Sequence, residues 1–97
     1  MKPDKQRLRE IRVQIRTVLM NEWDPIGVRG VPQAYDEYDG YIGGVYELLH
    51  ARASEHQVAA YLLEIERESM GLDFRKAEDL LSVARSLLRI SVEAQSN

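Results

Sequence analysis

Four carboxylates, Asp24, Asp36, Glu37 and Asp39, and two phenols, Tyr35 and Tyr38, fall within residues 21–46. Grouped acids can hold a hard cation through oxygen or exchange protons as acid and base. One reading of these residues is therefore a metal-dependent enzyme using Asp24, Asp36, Glu37 and Asp39. The spacing argues against it. Asp36, Glu37 and Asp39 fit no calcium-loop pattern, and Asp24 stands 12 residues before Asp36. Acids also gather at helix N-termini for the helix's own stability, so Asp36 or Asp39 as a cap is the preferred account, with no cofactor expected. The tyrosines add a second reading. Aromatic rings flanked by charge are what a protein-binding hot spot presents. Asp24, Tyr35, Asp36, Glu37, Tyr38 and Asp39 are thus a candidate partner-binding set. Trp23 and Pro25 beside them are expected to anchor the segment, since a single Trp at a helix end is usually packed.

Other chemistry has less support. A metal site in a bundle wants Glu-x-x-His on inward faces. Glu64 and Glu68 share a face, but no His follows at that spacing. Both acids are expected at the edge of the core, with Glu64 pairing with Arg67 on the same helix. His50 and His56 flank a predicted turn, where exposure is the ordinary outcome. Ser54, Ser69, Ser82 and Ser86 lie in helical or capping contexts with no G-x-S-x-G, and G-V-R-G is not a phosphate loop. There are no cysteines, which removes disulfides and thiolate chemistry.

Four helices must position these groups. The first is predicted over residues 4–22, with Leu8, Ile11, Ile15, Val18 and Leu19 inward and Arg7, Arg9, Arg12 and Arg16 on other faces. Pro25 biases Asp24 out of the α region, so this helix should end near Trp23. The second begins around 36–39 and runs to 51, carrying Tyr38, Ile42, Val45 and Leu49. Gly40, Gly43 and Gly44 are each costly there, by about 1 kcal/mol, and imply close backbone packing or a frayed first turn. Ser54 and Gln57 have the spacing of a capping box that opens the third helix. Gly71 stands where a left-handed terminator is wanted. Asp73 is a predicted N-cap for a fourth helix reaching about 92, with Phe74, Ala77, Leu80, Ala84 and Leu87 facing in. The tail, 93–97, should fray. The expected fold is all-α: a small bundle of about four helices in one domain over 1–97, with a long ordered loop between helices one and two. A short strand within 28–31 is the one non-helical alternative.

Composition bounds the function. The chain has 97 residues, 44% hydrophobic and 30% charged, with net charge −3. Residues 1–20 carry six Lys/Arg against two acids, whereas residues 21–50 carry one Arg against six acids. An acidic middle disfavours nucleic acid and favours a basic partner or a cation. The arginines of helix one read as a solvated face that pairs with the acidic middle rather than a nucleic-acid or membrane-surface helix. No apolar run nears the ~20 residues that span a bilayer. No signal peptide is read in the polar MKPDKQRLRE start, so a cytoplasmic location is expected.

The sequence also carries a resemblance. W-D-P-I-G-V at 23–28 is followed by D-E-Y-D-G-Y at 36–41, an apolar helix, and L-L-E-I-E-R-E-S-M-G-L at 62–72. This is similar to the YugE-like family of short bacterial proteins of unknown function, over roughly residues 18–72. The resemblance implies a small helical domain from a bacterial cytoplasm and brings no activity with it.

Three functions are therefore weighed. The first is a non-enzymatic protein-binding module with an acidic, tyrosine-bearing surface, one version of which is an immunity- or antitoxin-like protein covering a basic toxin site. The second is the metal-dependent enzyme. The third is a purely structural homodimer whose exposed apolar stripe closes on itself, with the length of helix four as the discriminating feature.

Overall fold

Asp4 starts the first helix by accepting the Arg7 backbone N–H at 2.8 Å, and a computed structural model describes the chain from there, over residues 4–92. The expected fraying of 93–97 lies outside the described residues. Helix α1 spans Lys5–Val18 and passes directly into a wider π turn, Leu19–Trp23. The reason is in the spacing. Ile11, Ile15, Leu19 and Trp23 are all buried and recur every four residues. In a regular helix such a row drifts about 40° round the axis at each step. The π turn takes up that drift and keeps Trp23 over the core. The helix ends where Pro25 required.

Residues 24–41 form no strand. They fold as successive tight turns, including the 3-10 segments Pro32–Ala34 and Asp39–Tyr41. Helix α2 then spans Ile42–His50, later than the expected start at 36–39. Neither Asp36 nor Asp39 caps it, and no side-chain cap is present at either start. Asp39 is drawn away by Arg16 of α1, and Gly40 and Gly43 weaken α geometry in the first turn. The close packing inferred from the glycines occurs at one of them. A Cβ on Gly44 would overlap the hydroxyl and ring of Tyr61, whereas Gly40 and Gly43 face open space.

Helix α3, Glu55–Glu64, opens with the expected capping box between Ser54 and Gln57. It too runs into a π turn, Ile65–Ser69, and again the buried row Val58, Leu62, Glu66 repeats every four residues. Gly71, at φ +68°, terminates it as predicted, with the Leu72 N–H returning to the Glu66 carbonyl at 2.8 Å. The fourth helix departs from expectation. Asp73 is exposed and pairs with Arg67 at 3.5 Å rather than capping, and so takes the partner expected of Glu64. Phe74 is 65% exposed rather than inward. A 3-10 turn, Ala77–Leu80, leads into α4, Leu81–Leu88, and Asp79 accepts the Lys76 N–H at 2.8 Å.

The helices close a ring. α1 packs on α2 and α4, and α3 packs on α4 and α2. The interior is one cluster including Ile11, Ile15, Leu19, Trp23, Tyr38, Ile42, Val45, Val58, Leu62, Leu80, Ala84 and Leu87. The architecture is all-α, with no strand among the described residues. Among the described residues the large exposed apolar side chains are Val13, Ile26, Val31, Tyr35 and Phe74.

Candidate functional site

The loop between α1 and α2 holds every residue of the candidate set, and two internal locks decide which of them face solvent. The first lock is centred on Asp24. This residue sits in the left-handed region (φ 30°, ψ 58°), which is costly for a non-glycine residue and easiest for Asn and Asp. Its carboxylate answers that cost with three hydrogen bonds, from the Val28 N–H at 2.8 Å, the Arg29 N–H at 3.1 Å and the Tyr38 hydroxyl at 2.8 Å. The Tyr38 oxygen in turn accepts the Ile26 N–H at 3.2 Å. Burial alone would raise the Asp24 carboxyl, but these bonds outweigh it and hold the group below its ordinary value. Burial, followed by the carboxylate it donates to, pushes the Tyr38 phenol far above its own.

The second lock joins three segments. Trp23, buried to 1%, donates its indole N–H to Glu66 Oε2 at 2.7 Å. Arg75 meets both Glu66 oxygens, at 3.1 and 2.7 Å, and caps the Trp23 carbonyl at 3.3 Å. Glu66 is the buried charged residue of the core, at 1% exposure, and a buried carboxylate persists only when paired and hydrogen-bonded in this way. Arg75 must reach inward from the 70–76 link, which is the physical reason that no helix starts at Asp73.

The candidate residues therefore divide. Trp23 and Pro25 are buried, as anchors should be. Asp24 is committed to the loop, and Tyr38, 1% exposed and ringed by Trp23 at 5.2 Å, has no surface to offer a partner. For Tyr38 the expectation of direct contact is corrected, because its ring is enclosed; half-buried Asp24 spends its carboxylate on holding the loop. Asp39 forms a two-pronged ion pair with Arg16, with Nε to Oδ1 at 2.8 Å. Tyr35, Asp36 and Glu37 remain exposed, Tyr35 at 60%, with the Arg16 guanidinium 5.4 Å from its ring centre.

The four carboxylates do not converge, and among the described residues no group of three His, Asp or Glu is arranged to hold a metal ion. His50 and His56 are both exposed, and His50 stacks on Tyr46 at 5.9 Å. A shallow depression of about 390 Å³ lies elsewhere, lined by Arg67, Gly71, Leu72 and Asp73, and no candidate residue borders it.

Glu66 and Arg75 carry roles that reading the sequence missed. Glu66 had a signal: it continues the four-residue row from Val58 and Leu62, so it stood on the apolar face of its helix. Arg75 had none, because its partners come from distant segments. Arg16 pairs with the acidic middle, as expected of the helix-one arginines, through Asp39.

No helix among the described residues is long and apolar enough to cross a membrane. Compared with family models, curated proteins and solved structures, the chain matches none.

Proposed function

We propose that this chain, a member of the YugE-like group by its 23–28 and 36–41 signature, is a non-enzymatic protein-binding module. It docks a basic protein on the surface formed by Tyr35, Asp36 and Glu37, as an immunity- or antitoxin-like protein would. The observation that carries this reading is an aromatic ring 60% exposed on a loop fastened at both ends, beside two exposed acids. A tyrosine so held presents contact area at little entropic cost, and flanking carboxylates steer a cationic partner. Three other acids of the 21–50 segment are already engaged: Glu22 with Ser86, Asp24 within the loop and Asp39 with Arg16. Asp36 and Glu37 are left with their charge directed outward.

Pull-down with the full chain over a salt series tests the reading. A partner of high isoelectric point should be retained at low salt and released at high salt. Asp36→Lys with Glu37→Lys, or Tyr35→Ala alone, should lose it while the melting temperature stays put. Retention that ignores salt and survives both variants overturns the proposal.

A further inference from the structure

Helix α1 continues the candidate surface in the opposite sign. Arg9, Arg12, Val13 and Arg16 lie at helical spacing along one face, and Arg16 is the residue that touches Tyr35 and Asp39. Arg9 and Arg12 are exposed and have no ion-pair partner among the described residues. Val13 beside them is 54% exposed. The helix face thus carries a cationic end at Arg9 and Arg12, and through Arg16 it adjoins Tyr35 and the acidic side of the loop that holds Asp36 and Glu37.

We infer that this patch pairs with a second copy of the same chain, antiparallel, about a two-fold axis that sets the cationic end of each copy against the anionic end of the other. Isologous interfaces need a self-complementary surface, and a patch with a cationic and an anionic end is one. Set antiparallel, Arg9 and Arg12 of each copy meet Asp36 and Glu37 of the other, while Arg16 stays paired with Asp39 of its own chain. The inference names what covers the Tyr35–Glu37 surface when no basic partner is present. It builds on the docking-surface reading only in that respect, and it makes self-association a competitor of partner binding.

Sedimentation of the full chain across a wide concentration range, at low and at half-molar salt, tests it. A dimer should form at low salt and weaken by about tenfold or more at high salt, because its pairs are rim charges open to screening. Arg9→Glu with Arg12→Glu should be monomeric, and so should Asp36→Lys with Glu37→Lys. An equimolar mixture of those two variants should restore the dimer, as should the chain carrying all four substitutions. All four positions are exposed, and circular dichroism of each variant checks that it folds. A wild-type chain that stays monomeric at every concentration overturns the inference, and so does a dimer indifferent to both reversals or reversals that fail to complement. The two proposals separate on Arg9→Glu with Arg12→Glu: a monomer that still retains the basic partner upholds both. A wild-type monomer that retains the partner removes only the dimer, and a complementing dimer that captures no basic protein removes only the docking reading.

Discussion

At Trp23 a single side chain serves three segments, so its replacement should be the most damaging of the core changes. Trp23→Ala removes a fully buried ring and is expected to cost about 3–5 kcal/mol in denaturant unfolding. Trp23→Phe keeps most of the packing but leaves the buried Glu66 short of a donor, a loss of about 2 kcal/mol. Arg75→Ala leaves Glu66 a buried charge with only the Trp23 N–H beside it and should cost about 3–5 kcal/mol, while Arg75→Lys, which keeps the charge without the fork, falls between. The Asp24–Tyr38 pair sets the pH limits of the same region. The folded Asp24 value is depressed below 3.8, so its contribution is complete above that pH and is lost as acid drives the group through its lower folded value. The folded Tyr38 value is raised above 10.0, so its contribution is complete below that pH and is lost as alkali ionises the unfolded chain first. Urea midpoints measured against pH should fall on both sides. Asp24→Asn, which keeps an acceptor and tolerates the left-handed backbone, should flatten the acid side.

At the level of single elements, α2 offers a paired test of its glycines. Gly43→Ala adds a methyl to open space on an exposed helical position and should stabilise by about 0.5–1 kcal/mol. Gly44→Ala collides with Tyr61 and should destabilise by about 1–3 kcal/mol, an effect only partly relieved by Tyr61→Phe, because the ring carbon Cζ would still lie 2.6 Å from the new methyl. The helices were legible where a local signal met no competing contact from elsewhere in the chain. The Ser54–Gln57 box, the Gly71 terminator and the stop before Pro25 all act within a few residues, and each stands as read. The start of α4 was not legible, because Asp73 is a good cap locally and is overruled by a contact between Arg75 and residues nine and 52 positions away. The start of α2 moved for the same kind of reason, with Asp39 answering Arg16 across 23 positions. The candidate site divided along that line too. Its residue types were visible in the chain, but which faced outward depended on two locks whose partners come from elsewhere. Tyr35 and Tyr38 are alike in sequence context and opposite in exposure.

For the molecule as a whole, the ring of helices leaves one face with an uncommon mixture of charge signs and apolar side chains. Ordinary surface substitutions change stability by no more than about 0.5 kcal/mol. Arg9→Glu with Arg12→Glu, and Asp36→Lys with Glu37→Lys, should therefore unfold close to the parent in dilute solution at high salt. At low salt and high concentration their midpoints should fall below it, because the parent alone gains from association. Melting curves collected over concentration and salt separate these cases without any partner in hand.

The indole at the meeting point of α1, the end of α3 and the 70–76 link is the chain's one tryptophan. Its emission therefore samples a single environment, one that exists only when three parts of the chain have come together. Followed beside far-ultraviolet ellipticity during unfolding, that light reports whether helices persist after the joint has opened. Coincident curves mean that secondary structure and junction are lost in one cooperative step. An earlier change in emission would place the first loosening at the Trp23–Glu66–Arg75 joint.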